Sequence, residues 1–137
     1  MNAYVLDTSV AVAWYLEEVF SASARSWQER LLAGKVVLVV PLLHYWEFAN
    51  VLRTLVHRRE LPEDLARETY ELHLDAPLER GEPEEKSVLD TALRYGATAY
   101  DAVYISLCLS RDIPLITAEK TTTAWVTRLK SRIESVR

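Results

Sequence analysis

The fold of this 137-residue chain is decided by the stretch Val36-Val37-Leu38-Val39-Val40-Pro41. Five consecutive aliphatic residues with no polar face are typical of a strand that is buried on both sides, as strands are in parallel sheets. Pro41 ends the run and predicts the start of a helix, because a proline in the first turn lacks an N–H that would have no helical partner anyway. The stretch therefore indicates a parallel sheet covered by helices.

Strand patterns and helix patterns alternate on both sides of this stretch. Strands are predicted at 4–6, 36–40, near 78, at 113–116 and at 133–136. Helices are predicted at 8–19, 21–32, 41–59, 62–74, 84–96, from 98 to about 109, and after 120. The pattern predicts an α/β fold: a three-layer α/β/α sandwich with a short, mostly parallel central sheet, formed as a single domain over residues 1–137.

Composition narrows the class of function and the compartment. The formal net charge is -4, which excludes a strongly basic surface that binds nucleic acid by charge alone. The single cysteine, Cys108, cannot form an internal disulfide, which favours a reducing compartment. The N-terminal residues lack a positive segment, and the apolar runs are shorter than a bilayer requires. We therefore expect a cytoplasmic protein that does not associate with a membrane.

Four carboxylates from distant parts of the sequence are predicted to meet at one edge of the sheet. Asp7 and Glu119 follow predicted strands, Glu47 lies about two turns into the helix after Val40, and Asp101 lies in the first turn of a buried helix. The carboxyl ends of parallel strands share one edge, which is where such sheets bind ligands. Carboxylates that lie close together repel one another unless a cation intervenes, and oxygen ligands suit Mg²⁺ or Mn²⁺.

Four segments in this order give the chain a family resemblance. The segments are Leu6-Asp7-Thr8-Ser9, the Glu47-x-x-Asn50 helix, Tyr100-Asp101-Ala102-x-Tyr104 and Leu115-Ile116-Thr117-Ala118-Glu119. They resemble the landmarks of PIN-domain proteins and, within that superfamily, of the VapC-type toxins of toxin–antitoxin pairs. The resemblance covers nearly the whole chain, and no single segment carries it alone.

The resemblance implies a Mg²⁺- or Mn²⁺-dependent endoribonuclease that forms a homodimer and is inhibited by a small antitoxin of the VapB kind. It assigns the catalytic, metal-binding acids to Asp7, Glu47, Asp101 and Glu119, and supporting polar roles to Ser9, Asn50 and Thr117. The fourth acid of the family is generally Asp, and Glu119 departs from that pattern by one methylene. Its share in metal binding is therefore an open question.

Basic side chains are candidates for holding the phosphates that flank the cleaved bond. The candidates are Arg53, His57, Arg58, Arg59, Lys120, Arg128, Lys130 and Arg132. The acidic net charge does not oppose RNA binding, because a bound metal ion would supply positive charge at the reacting phosphate.

Other interpretations of the same residues stay open at this stage. Asp7 could only cap the first helix, and Asp101, three residues after Thr98, could only complete a capping box. Glu119 could be an ordinary loop residue, while His44, His57 and His73 lie apart in sequence and suggest no catalytic histidine. Two other functions are a catalytically degenerate PIN-like module that binds RNA or a partner, and a receiver-type signalling domain. A receiver needs its acceptor Asp at the end of a central strand, and the strand at 36–40 ends in Pro41 instead.

Overall fold

The chain folds into alternating strands and helices in a computed structural model that describes residues 2–137. The strands are β1 (Asn2–Leu6), β2 (Val36–Val40), β3 (Glu79–Arg80), β4 (Leu115–Thr117) and β5 (Ile133–Ser135). The helices are α1 (Thr8–Tyr15), α2 (Ser21–Leu32), α3 (Leu42–His57), α4 (Glu63–Leu74), α5 (Glu85–Tyr95), α6 (Ala99–Arg111) and α7 (Ala124–Leu129), and a 3₁₀ turn covers Lys130–Arg132. Within the described residues, no helix is both long enough and apolar enough to cross a membrane.

The five strands form one parallel sheet in the order β3-β2-β1-β4-β5. β1 lies at the centre, where Tyr4 pairs with Leu38 of β2 and Leu6 pairs with Ile116 of β4. Because every strand runs in the same direction, all the carboxyl ends lie at one edge. Asp7, which follows β1, and the segment after Thr117, which follows β4, both lie at that edge.

Helices cover both faces of the sheet, and the alternation of side chains along each strand supplies both cores. Leu38 and Ile116 pack into a cluster with residues of α1, α2 and α3. Val39 and Leu115, their neighbours in sequence, pack into a second cluster with residues of α6 and α7. The three-layer α/β/α sandwich expected from the sequence is confirmed. The stretch at 36–40 is apolar on both faces because its alternate side chains pack against the helices on opposite sides of the sheet.

The end of α1 and the start of β4 differ from those expected. α1 ends at Tyr15, and Val19, expected on its apolar face, is fully exposed. The chain turns there because the Ser21 hydroxyl accepts from the Glu18 amide at 2.8 Å and donates to the Leu16 carbonyl at 3.2 Å. β4 begins at Leu115 because the Ile113 amide instead closes the end of α6, bonding to the Cys108 carbonyl at 3.2 Å.

Two residues of α3 that its hydrophobic pattern places on the buried side, Leu42 and Trp46, are exposed; the predicted apolar stripe consists of Leu42, Tyr45, Trp46, Ala49, Leu52, Leu55 and Val56. Trp46 is 58% exposed, whereas Phe48, two residues later, is buried. Two residues correspond to about 200° around a helix, so these two side chains must point in nearly opposite directions. The stripe on α3 is narrower than its sequence suggested.

The burial of β2 predicts the effect of a single truncation on stability. Leu38→Ala removes a side chain that is 0% exposed, and it should lower the free energy of unfolding by about 3 kcal/mol. Leu32→Ala, at a leucine that is 67% exposed, is the matched control and should change stability by less than about 0.5 kcal/mol. Urea unfolding of both variants measures the difference, and equal losses would contradict the layer arrangement.

Candidate active site at the carboxyl edge of the sheet

Asp7 lies where the central strand ends and α1 begins. It occupies the N-cap position of α1, but its side chain makes no capping hydrogen bond. The carboxylate instead accepts a hydrogen bond from the Thr117 hydroxyl of β4, with Oγ1 2.7 Å from Asp7 Oδ2. The interpretation of Asp7 as a simple helix cap is therefore wrong, because its charged group is directed to the neighbouring strand.

The environment of Asp7 disfavours its charged form. Burial, together with the negative charges of Asp101 and Glu47, raises the pKa of Asp7 to about 6, although hydrogen bonds from Thr117 and Ser9 act in the opposite direction. A nearby cation would stabilise the ionised form of such a carboxylate. The raised pKa therefore marks Asp7 as a candidate functional carboxylate.

Glu47 lies in the second turn of α3 and is bound by hydroxyl groups from both helical layers. Its Oε1 accepts from the Thr8 hydroxyl of α1 at 3.0 Å and from the Tyr104 hydroxyl of α6 at 2.6 Å. These two donors satisfy a half-buried carboxylate that the sequence places among aromatic residues. Thr8 and Tyr104 were in the motif segments, but the sequence assigned no role to either.

The Glu47 contacts continue into a buried chain of hydrogen bonds. Thr8 Oγ1 is 2.6 Å from Tyr104 Oη and 3.3 Å from His44 Nδ1. His44 Nε2 is 2.8 Å from His73 Nε2, and His73 Nδ1 is 2.9 Å from Tyr15 Oη. His44 and His73 looked unrelated in the sequence because they are 29 residues apart, on α3 and α4. The structure places the two histidines in direct contact.

Asp101 lies in the first turn of α6, and Thr98 caps this helix. The Thr98 hydroxyl accepts from the Asp101 amide at 3.1 Å. Burial raises the pKa of the Asp101 carboxyl, the negative charges of Glu119 and Glu47 add to this effect, and hydrogen bonds with Thr98 and Trp125 oppose it. Asp101 thus has a helix-end position and an acidic neighbourhood at the same time.

Glu119 is joined to Asp7 through Thr117. The Thr117 hydroxyl donates to Asp7 and accepts from the Glu119 amide at 3.0 Å. The Glu119 carboxylate accepts from the Thr123 hydroxyl at 3.1 Å, just before α7, and its charge acts on Asp101. Glu119 is only partly exposed, so the description as an ordinary solvated loop residue does not fit it.

The four acids therefore act on one another electrostatically, but their side chains do not form a closed ligand shell. Over residues 2–137, no group of three His, Cys, Asp or Glu side chains lies as close together as the ligands of a single metal ion would. The donor chemistry nevertheless fits a hard cation, since the side chains offer oxygen atoms and the pKa values of Asp7 and Asp101 are raised by burial and by neighbouring negative charge.

Among the supporting polar residues, Ser9 and Thr117 face the site. The Ser9 hydroxyl accepts from the Ala118 amide at 3.3 Å, which ties α1 to the segment after β4. Asn50 is exposed, and it lies three residues after Glu47 on the same side of α3.

The basic candidates are mostly distant from these acids. Lys120 is exposed directly beside Glu119, whereas Arg53 lines a groove between α3 and α4. Arg58 and Arg59 lie at the far end of α3, with Arg58 about 16 Å from Glu47 along the helix axis. Arg132 bonds to Asp112 at 2.7 Å, beyond the amino end of β4, so the expectation that Arg132 flanks the site is wrong.

The parallel α/β fold agrees with a known family of domains. A family model described as the PIN domain matches residues 4–122, and the chain belongs to that family. No curated protein sequence matches the chain significantly.

Solved structures agree on the fold. A protein from Pyrobaculum aerophilum, PAE2754, is similar with a TM-score of 0.74 and 20% identity, over 98% of this chain and 84% of that one. VapBC2 from Rickettsia felis, solved with a DNA fragment from its promoter, has a TM-score of 0.64 and 14% identity, over 97% and 98% of the two chains. VapBC-1 from nontypeable Haemophilus influenzae has a TM-score of 0.61 and 17% identity, over 98% of each chain.

The raised pKa of Asp7 predicts that this residue destabilises the metal-free protein. In the folded protein the pKa of Asp7 is about 6, above its ordinary value of 3.8. The contribution of Asp7 to the free energy of unfolding is therefore fully present below pH 3.8 and is lost as the pH rises through 6. Asp7→Asn should therefore increase the free energy of unfolding in EDTA by about 2 kcal/mol at pH 8, and by about half of that at pH 5.

The matched control for this measurement is Asp112→Asn. Asp112 forms an exposed ion pair with Arg132, and its loss should lower stability by less than about 1 kcal/mol at either pH. Denaturant unfolding at the two pH values decides the matter. An Asp7→Asn protein that is no more stable than the parent at pH 8 would show that Asp7 is not under electrostatic strain.

Proposed function

We propose that this protein is a metal-dependent endoribonuclease that hydrolyses RNA phosphodiester bonds and serves as the toxin of a toxin–antitoxin pair. The observation that carries the proposal is the electrostatic repulsion at the carboxyl edge of a PIN-domain sheet, where Asp101 and Glu47 act on Asp7, and Glu119 and Glu47 act on Asp101. Carboxylates that are buried and repel one another destabilise a fold. A divalent cation that binds between them relieves this repulsion, so the same carboxylates favour cation binding.

The residues of the site divide the work between cation binding and support. Asp7, Asp101 and Glu47 would hold Mg²⁺ or Mn²⁺, with Glu119 contributing from the segment after β4. When bound, a divalent ion supplies positive charge for the reacting phosphate and lowers the pKa of an attacking water.

The remaining polar residues orient these acids and the substrate. Thr117 fixes the Asp7 carboxylate through the 2.7 Å hydrogen bond, and Ser9 fixes the segment that carries Glu119. Asn50, exposed on the side of α3 that carries Glu47, is placed to contact RNA. Lys120 would hold a phosphate next to the cleaved bond, and the more distant Arg53, Arg58 and Arg59 would reach only flanking RNA.

Three partner assignments belong to the same proposal. The antitoxin is supported by the similar structures from Rickettsia felis and Haemophilus influenzae, which are VapBC assemblies, and by one from Klebsiella pneumoniae whose description is a toxin–antitoxin complex. An apolar groove of about 300 Å³ between α3 and α4, with Arg53 and the Arg67–Glu63 ion pair in its lining, suits an amphipathic helix. We also propose a homodimer and a cytoplasmic location, where RNA is present and the unpaired Cys108 stays reduced.

A catalytically degenerate PIN-like module is the second candidate, favoured by one observation. The described residues contain no ready-made group of three metal-ligating side chains, so a module that binds RNA without cutting it would show the same geometry.

The receiver-type domain is set aside on different grounds from those that the sequence suggested. The central strand is β1 rather than β2, and Asp7 does follow it, so the argument from Pro41 was wrong. The match to the PIN-domain model over residues 4–122 decides against the receiver.

Substitution of the two central acids tests the proposed catalysis. Asp7→Asn and Asp101→Asn should each reduce the rate of RNA cleavage in Mg²⁺ or Mn²⁺ by about 100-fold, the effect of losing a few kcal/mol of transition-state stabilisation. Asp112→Asn, an acid at the opposite edge, should cleave like the parent. The assay uses several structured RNAs and gel detection of fragments. Parent protein that leaves every RNA intact while still binding it would establish the degenerate module instead.

The extra methylene of Glu119 predicts a ranking of metal affinities. Glu119→Gln should weaken Mn²⁺ binding less than Asp101→Asn does, because the Glu119 carboxylate is also held by Thr123 and its share in binding the ion is smaller. Titration calorimetry with Mn²⁺ alone measures both values. The reverse ranking would identify Glu119 as a principal ligand.

A further inference from the structure

We propose that His44 and His73 are positioning residues that fix the Glu47 carboxylate through a one-directional chain of hydrogen bonds. The chain runs from Tyr15 through both imidazoles and the Thr8 hydroxyl to Glu47. This inference rests on the proposed function only in assigning Glu47 to the active site, since the direction of the chain follows from the contacts themselves.

Both imidazoles are enclosed in the protein and can hold only one proton each. His44 and His73 are each 0% exposed. Burial and, to a smaller extent, His73 lower the pKa of His44 to about 3, and burial lowers the pKa of His73 to about 4. Near neutral pH each ring is therefore uncharged, with one nitrogen that donates and one that accepts.

The contacts around Thr8 decide which nitrogen of His44 donates. Thr8 Oγ1, Tyr104 Oη and Glu47 Oε1 make three mutual contacts of 2.6, 2.6 and 3.0 Å. An ionised carboxylate has no proton to give, so the two hydroxyl protons are the only ones available for these three contacts. Neither hydroxyl proton is left for His44, and His44 Nδ1 must donate to Thr8 Oγ1.

The rest of the chain follows by elimination. Once Nδ1 of His44 carries the proton, its Nε2 accepts, and the 2.8 Å contact requires His73 Nε2 to donate. His73 Nδ1 is then an acceptor for the Tyr15 hydroxyl at 2.9 Å. In the opposite direction, the Thr8 hydroxyl would donate its proton to His44 Nδ1. Only the Tyr104 hydroxyl proton would then remain for the three contacts among Thr8, Tyr104 and Glu47.

This arrangement links four helices to one carboxylate. Tyr15 and Thr8 belong to α1, His44 and Glu47 to α3, His73 to α4 and Tyr104 to α6. A hydroxyl such as that of Thr8 can rotate, and the Nδ1–H of His44 removes that freedom by occupying its acceptor side. The Thr8 proton is thereby directed to Tyr104 and Glu47, so the Glu47 carboxylate is held in one orientation.

Two substitutions of His44 separate positioning from simple packing. Each replaces the ring by an amide that mimics one of its nitrogens: His44→Asn keeps a donor near the Nδ1 position, and His44→Gln keeps a polar atom near the Nε2 position. Each variant loses one of the two contacts of His44, so both should be destabilised to a similar extent.

Only His44→Asn can still donate to Thr8. We therefore expect His44→Gln to lose about 10-fold or more in Mn²⁺ affinity and in kcat with KM for RNA unchanged, and His44→Asn to stay within about 3-fold of the parent.

Mn²⁺ affinity is measured by electron paramagnetic resonance, independently of cleavage, and unfolding by urea monitors stability. Equal losses in the two variants would reduce His44 to a packing residue and overturn the proposal.

The ring tautomers of the unaltered protein give a direct test that does not depend on how the variants fold. Long-range ¹H–¹⁵N spectra of histidine-labelled protein should show His44 protonated at Nδ1 and His73 at Nε2, with the exposed His57 as an internal reference. The reverse pair of tautomers would overturn the proposal even if the protein cleaves RNA. Conversely, an inactive protein with the expected tautomers would leave this chain intact and refute the proposed nuclease function.

Discussion

The parallel pairing of β1 with both β2 and β4 is the constraint on which the rest of the molecule depends. A strand that is paired on both edges and covered on both faces is largely apolar, because an ionised side chain inside it would lose its hydration, so the carboxylate that follows β1 comes where the strand ends. Asp7 stands at that point, and its amide still bonds to the Ile116 carbonyl at 3.0 Å. The same pairing brings Thr117 beside Asp7, so the geometry of the acidic edge follows from the sheet.

Hydroxyl groups, rather than basic side chains, compensate the carboxylates at this edge. Thr117 donates to Asp7, Thr123 donates to Glu119, and Glu47 has its own two hydroxyl donors. A lysine or arginine in their place would neutralise the acids permanently and compete with a cation. Neutral donors satisfy the carboxylate oxygens without neutralising their charge, and the pKa values of Asp7 and Asp101 stay raised by burial and by the neighbouring carboxylates. Among the described residues, no buried side-chain polar atom lacks a partner.

The parts of the structure that the sequence predicted are those set by periodicity and by strand ends. The apolar run of β2, the order of elements and the placement of Asp7 after a strand all depend on local patterns. The contact between His44 and His73 could not be predicted, because it depends on how α3 and α4 pack, and neither residue has a local signal. The exposure of Trp46 and the distance of Arg58 from the acids likewise depend on helix rotation and length, which hydrophobic patterns define only approximately.

Glu119 shows how the fold accommodates a Glu at the position where the resemblance to PIN-domain proteins implies an Asp. Its backbone is fixed because its amide bonds to the same Thr117 hydroxyl that contacts Asp7. The additional methylene must therefore extend the carboxylate away from this anchor, and Thr123 binds it where α7 begins. The negative charge still acts on Asp101. The substitution thus preserves the electrostatic character of the edge while giving the carboxylate a second attachment, and any cation that recruits Glu119 has to compete with the Thr123 hydroxyl.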